Sequence, residues 1–257
     1  MSDTLALETT GITCRFGGVI ALEEADFAVA RGEIVGLIGP NGSGKTTMLN
    51  VLSGIYRPTS GTVMMNGRDV TGMSTRRLAR DLRLARTFQL IRLCPGLTVR
   101  ENVLLGQHRA FRWYDSVLAT RSKHEKASRS YVDGILEFVG LLDRSEQVAT
   151  SLPYGDQRRV EIARALATEP EVLLLDEPAA GMNPNEAQTL VDLIRRIHAE
   201  RRLSMVVIEH NMNVVLSTAS RVVVFDAGHV IANGNPDEVR SDPVVLEAYL
   251  GRRFRNV

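Results

Sequence analysis

The chain lacks most of what would mark it as secreted, membrane-spanning or nucleic-acid-binding. It has only two cysteines, Cys14 and Cys94, far apart and without Cys or His neighbours at metal-ligand spacing. They read as ordinary thiols of a reducing compartment. No basic region followed by an apolar run opens the sequence, so no secretory signal is expected. No apolar run approaches the length that spans a bilayer. A protein that is soluble, or held at a membrane only through partners, is expected. An excess of one charge is missing too. Lys plus Arg total 31 against 30 Asp plus Glu, a net charge of +1. That balance argues against a dedicated nucleic-acid binder, which usually shows a strong basic excess. There is no internal repeat and no low-complexity stretch. What remains is a chain of 257 residues, 44% of them hydrophobic. That is enough for a full core without disulfide staples, in one domain or one domain with an inserted subdomain.

Residues 5–16 and 21–30 read as strands around a Gly17-Gly18 turn, and 33–38 as a short buried strand. A Gly-rich stretch, 39–45, leads into a helix over 46–52. Residues 61–69 read as a strand and turn, and 84–88 as a further strand. From about 98 to 167 the periodicity is helical, with 121–129 polar throughout and read as a solvated face. Strands and helices then alternate: strands at 171–175, 204–208 and 222–225, helices at 185–201 and 211–219, and a helical tail over 236–250. Such alternation implies a parallel sheet with crossover helices. The expected plan is an α/β core interrupted by a helical insert.

Gly39, Pro40, Asn41, Gly42, Ser43, Gly44, Lys45 and Thr46 fit G-x-x-x-x-G-K-[ST] at every fixed position. Glycines let successive backbone N–H groups turn inward on phosphate oxygens. Lys45 adds a cation for the β and γ phosphates, and Thr46 offers a hydroxyl to Mg²⁺. The following helix, with Thr47 in its first turn, points its positive end at the same anion. No Asn-Lys-x-Asp guanine-reading motif is present, which counts against a GTPase. The run Val172-Leu-Leu-Leu-Asp176-Glu177 is an apolar strand ending in two acids. Asp176 is the candidate for the Mg²⁺ shell, and Glu177 for orienting or deprotonating the attacking water. His210 follows another apolar run and is a candidate for holding the γ-phosphate and the water in line. Gln89 follows the 84–88 segment, where its amide could ligate Mg²⁺ or the water. His108, His124, His198 and His229 lack such settings and are expected at the surface.

Cradle, Gln, a signature-like segment, acid pair and His follow one another in the order of the ABC ATPase family, which the chain resembles over nearly its whole length. The signature-like segment is Leu152-Pro-Tyr-Gly-Asp-Gln-Arg-Arg159, similar to the family's Leu-Ser-Gly-Gly-Gln. Ala85-Arg-Thr-Phe-Gln89, the Tyr154-Gly155 of the signature-like segment, Pro178-Ala-Ala-Gly-Met-Asn-Pro184 and Leu246-Glu-Ala-Tyr-Leu-Gly251 are similar to ATPase subunits of branched-chain amino-acid importers. The resemblance implies an α/β P-loop NTPase fold: a parallel-sheet core, an antiparallel β subdomain and an inserted helical subdomain. That makes one domain over 1–257, with its core in 1–89 and 160–257 and its helical part in about 90–159. It implies ATP and Mg²⁺ as ligands, with Phe16 stacking on adenine; a core position for Phe16 is the alternative. It further implies a head-to-tail pair of ATPase subunits, identical or distinct, each cradle facing the other subunit's Pro153, Tyr154, Gly155 and Asp156. Transmembrane permease subunits and, indirectly, an external substrate-binding protein complete the implied assembly, at the cytoplasmic face of the inner membrane.

The chain departs from the family pattern in places. Pro153 replaces a Ser and removes a hydroxyl donor, Tyr154 replaces a Gly, and Asp156 replaces a Gln. Asp156 suits a helix start but puts an acid near a phosphate. Asn183 stands where most relatives carry Asp. Other readings are an ATPase for lipopolysaccharide extraction, a soluble ABC ATPase acting on DNA or ribosomes, and a P-loop kinase of small metabolites. The last leaves the signature-like segment and His210 unexplained.

Overall fold

The computed structural model describes residues 5–107 and 121–250, without the side chains of 121–125 and of residue 250. Near the N-terminus β1 (Leu5–Phe16) and β2 (Val19–Ala30) pair as an antiparallel hairpin. Its turn is made by Gly17 at φ 57° and Gly18. With β4 (Ser60–Met65) and β5 (Arg68–Asp69) they form a four-stranded antiparallel sheet in the order β2-β1-β4-β5.

The central sheet holds β3 (Ile34–Ile38), β6 (Leu84–Arg86), β7 (Val172–Asp176), β8 (Ser204–Ile208), β9 (Arg221–Asp226) and β10 (His229–Gly234), in the order β10-β9-β3-β8-β7-β6. Every residue of β3, β7 and β8 is buried. Continuous burial is what a strand covered on both faces requires, and it explains why these segments read as apolar runs rather than alternating ones. All pairings are parallel except that of the edge strand β10 with β9. The order places the C-terminal ends of β6, β7 and β8 side by side, next to that of β3.

Two apolar clusters hold the layers together. On one face, Leu7, Ile12, Leu22 and Phe27 of the antiparallel sheet close over Met48, Leu49 and Leu52 of α1 (Lys45–Leu52). These meet Leu174, Val206 and Phe225 of the central sheet. On the other face, α5 (Tyr154–Leu166) and α6 (Pro184–Arg201) bring Val160, Ile162, Leu166, Ile194 and Ile197 against Leu173 and Val207. The same cluster runs on into Val99 and Val103 of α3 (Val99–Leu104) and Val132, Ile135 and Leu136 of α4 (Arg121–Phe138). The helical part therefore shares a core with the sheet. Each such aliphatic side chain contributes about 1.5–3 kcal/mol on burial.

Several expectations change. The 84–88 strand stops at Arg86, which leaves Gln89 on a loop. The helical tail is two helices, α8 (Pro236–Ser241) and α9 (Pro243–Leu250). Between them Asp242 is extended, because the residue before a proline is driven out of the helical region. Two elements carry too little apolar pattern to be seen in sequence. These are α2 (Thr75–Leu82), in which only Leu78 is buried, and β10, in which no residue is fully buried. The remaining helix, α7 (Met212–Thr218), lies within the expected 211–219. His198 is not at the open surface: half-buried, its Nε2 lies 2.7 Å from the Gly32 carbonyl. His229 is exposed. His108 and the His124 side chain lie outside the described residues.

Candidate nucleotide site

The phosphate loop starts where β3 ends. Gly39 has φ 147°, and a Cβ there would lie 2.0 Å from the Phe225 carbonyl oxygen, so only glycine fits. Gly44 (φ 106°) caps α1, and a Cβ on it would meet the Ala21 carbonyl at 2.7 Å. The loop is braced from outside: Gly228 N donates to the Ser43 carbonyl and Glu23 N to the Gly228 carbonyl, both at 3.0 Å. Lys45 is buried. Its Nζ donates to the Gly39 and Pro40 carbonyls at 2.8 Å each and to Ser43 Oγ at 3.3 Å. Burial pulls its pKa down, and the nearby Glu177 carboxylate pulls against that. Asn41, Gly42 and Thr46 are exposed, Pro40 and Thr47 half-buried.

Lys45→Ala removes the cradle's cation and leaves two carbonyls without their donor. Charged hydrogen bonds are worth about 1.5–3 kcal/mol, so ATP affinity is expected to fall about 10- to 100-fold. Calorimetric titration with ATP checks this, and an unchanged Kd would count against the cradle.

Glu177 follows β7 at φ 45°, a left-handed position that a non-glycine residue holds at a cost. Its backbone N–H donates to the Ile208 carbonyl at 2.9 Å, which fixes the turn. Gln89 Nε2 donates to Glu177 Oε2 at 2.8 Å, and His210 Nδ1 lies 3.6 Å from the same oxygen. The loops after β6 and β8 thus bring two expected residues, Gln89 and His210, onto the carboxylate of a third, Glu177, on the loop after β7. The C-terminal ends of parallel strands are where such folds hold their ligands.

Asp176 is placed differently. Its carboxylate is buried and accepts from Arg86 Nη2 at 2.8 Å; the Arg86 side chain is only 6% exposed. Arg86 Nη1 donates to Asn50 Oδ1 and Ser53 Oγ, each at 2.7 Å. Arg86 therefore ties the acid strand to the helix that follows the phosphate loop. Sequence reasoning missed it, and also missed Glu209. Glu209 is fully buried, and its Oε1 accepts from Ala179 N at 2.6 Å. It fastens the loop after Glu177 to the end of β8, and burial pushes its pKa up. The available signal in both cases was a charged residue inside or directly behind an apolar strand, which needs a partner when buried.

Pro153 is the N-cap residue of α5. Pro153 and Tyr154 are exposed and Gly155 half-buried. A cavity of about 90 Å³ lies between this turn and the start of α6, lined by Pro153, Gly155, Asp156, Arg159, Met182 and Glu186 among others. The Asp156 carboxylate is buried and paired with both Arg144 and Arg159. Its charge is neutralised within the subunit, which answers the expected clash of an acid with a phosphate. Asn183 caps α6, its side chain accepting from Asn185 N and Glu186 N at 3.0 Å each. Phe16 is 45% exposed and meets Tyr56 edge-on at 5.1 Å between ring centroids. The core alternative for Phe16 fails, and Tyr56 is an unforeseen neighbour.

A glycine cradle around a buried lysine, beside a strand-end acid braced by Gln and His, defines a P-loop ATPase. The ABC transporter family profile matches residues 22–180, and the chain belongs to the ATP-binding cassettes of that family. A second profile, branched-chain amino acid ATP-binding cassette transporter, matches residues 229–255. Among curated relatives, the high-affinity branched-chain amino acid transport ATP-binding protein LivG of Escherichia coli (strain K12) is 41% identical over 95% of this chain and 97% of its own length. BraF of Pseudomonas aeruginosa, which bears the same description, is 39% identical over the same shares. Among solved structures, a nucleotide-free ATP-binding cassette from an ABC transporter has a TM-score of 0.84 at 31% identity, covering 96% of this chain and 99% of that one. A dimeric post-hydrolysis cassette bound to ADP and Pi has a TM-score of 0.75 at 26% identity, covering 90% and 98%. The protein is thus an ATP-binding, ATP-hydrolysing transporter subunit. Among the described residues no helix is long and apolar enough to cross a membrane.

Proposed function

We propose that the chain powers an importer of branched-chain or other hydrophobic amino acids. The convergence of Gln89 and His210 on Glu177 carries the reading as a motor. The match of the 229–255 tail and the likeness to LivG and BraF support the cargo class. Residues 39–47 cradle the phosphates and Phe16 offers its exposed ring to adenine. Glu177 holds the attacking water and His210 steadies it against the γ-phosphate.

Mg²⁺ fits the oxygen-rich donor set. Thr46, exposed in the first turn of α1, carries a hydroxyl, Asp176 ends β7, and Gln89 lies on the loop after β6. Hard oxygen donors of this kind suit the ion. Bound there, it would neutralise phosphate charge.

We assign the chain one ATPase domain, with the helical part, about 90–159, presenting Pro153, Tyr154, Gly155 and Asp156 to the nucleotide of a second ATPase subunit. The dimeric relative bound to ADP and Pi supports that pairing. Permease subunits would hold the pair at the cytoplasmic face of the inner membrane, with an external binding protein supplying cargo. Native purification of the full chain from solubilised membranes tests this. Multi-span membrane proteins are expected to co-purify, and recovery of ribosomes or DNA in their place would overturn the transporter reading.

A further inference from the structure

The signature helix α5 carries a charged pair on the face it buries. Arg158 is 0% and Glu161 2% exposed, and Arg158 Nη1 donates to Glu161 Oε2 at 2.7 Å. A helix packed on a sheet ordinarily fills such positions with apolar residues, and a buried ion pair is weak support for stability. The pair is explained by what it holds. Arg158 Nη1 also donates to the Phe88 carbonyl at 2.6 Å, and Nη2 to the Gln89 carbonyl at 2.7 Å. The backbone N–H of Arg92 faces the Glu161 carboxylate. The Phe88–Gln89 end of the loop is therefore fastened to one turn of α5. Arg158 Nη2 reaches Tyr154 Oη at 3.4 Å as well. The Tyr154 ring in turn packs beside Gly181, on the loop after Glu177.

We infer that Arg158 is a positioning residue, which makes the 153–156 turn of α5 follow the Gln89 loop through the Phe88 and Gln89 carbonyls. Gln89 touches the hydrolytic carboxylate through its side chain while its backbone is tied to α5. A shift of Gln89 relative to Glu177 is carried to the start of the helix as a rigid displacement, because the planar guanidinium holds its acceptors in a fixed fork. The inference rests on the proposed roles of Gln89 and Glu177 and adds the part that links them to the signature turn.

The test compares Arg158→Met/Glu161→Met, Arg158→Lys and Glu177→Gln with the unmodified full-length chain. The Met pair removes both charges at similar volume, so it leaves no buried charge unpaired; that gain offsets the loss of the donor to the Phe88 and Gln89 carbonyls, and the variant is expected to melt within a few degrees of wild type. ATP affinity is expected to be unchanged, while kcat falls about 10- to 100-fold at constant KM, the signature of a misplaced reacting group. Arg158→Lys keeps the charge but not the fork and is expected to fall between. Wild-type kcat in the Met pair, or a loss of ATP affinity equal to the loss of turnover, would overturn the inference. The unmodified chain and Glu177→Gln report on the ATPase assignment by themselves, so its failure is read separately.

Discussion

Glu177→Gln is expected to lower ATP turnover at least about a hundredfold while leaving ATP affinity close to wild type. The size follows from the role. A positioned general base contributes about 10²- to 10⁴-fold, and the amide has the same shape but cannot take a proton. Several features make the exchange mild for the fold. Glutamine tolerates the left-handed φ of 45° no worse than glutamate. It retains a carbonyl oxygen to accept from Gln89 Nε2, and the backbone bond from residue 177 to Ile208 does not depend on the side chain. The cradle of Gly39 to Thr46 is untouched, so nucleotide still binds. With binding intact and hydrolysis blocked, an ATP-bound dimer should accumulate, seen as a doubled mass in size-exclusion chromatography with ATP. Turnover at the wild-type rate would remove Glu177 from its assigned role.

The parts of this site that the sequence disclosed are those whose geometry is local. The phosphate loop is eight contiguous residues whose spacing is set by its own turns. Glu177 and His210 stand out because each lies behind a strand buried along its whole length. The parts it concealed are held by distant partners. Arg86 meets Asp176 across 90 residues of chain, and Arg158 meets Phe88 across 70. No periodicity reports such pairs: Arg86, inside a strand, signals only that some partner is needed, and Arg158 looks like an ordinary surface arginine until the fold buries it. Asp156 shows the converse. Its placement at a helix start was legible, but not that Arg144 and Arg159 neutralise it. Secondary structure follows the same division. α1, α6 and the central strands carry their own apolar signal. The edge strand β10 exists because β9 offers it a ladder, and α2 packs through a single leucine.

Arg86→Met is expected to cost about 3–5 kcal/mol of stability, the range for breaking a buried ion pair from one side. The Asp176 carboxylate would remain buried without its cation, and Asn50 Oδ1 and Ser53 Oγ would lose their donor. For a chain of this size each kcal/mol is worth about 2–4 °C, so the melting temperature should fall by about 6–20 °C. Methionine occupies much of the arginine volume, so the loss reports charge rather than a cavity. Pairing it with Asp176→Asn separates the two contributions. With both charges gone, the desolvation cost of a lone carboxylate disappears, and the double variant should regain most of the lost stability, by the non-additivity expected of residues in contact. Turnover should not return with it, because Asp176 belongs to the oxygen donors assigned to Mg²⁺. Thermal melts of the two single variants and the double form the cycle. A single Arg86→Met variant that melts within a degree or two of wild type would mean that Asp176 finds another partner, and that the link from acid strand to phosphate-loop helix does not pass through Arg86.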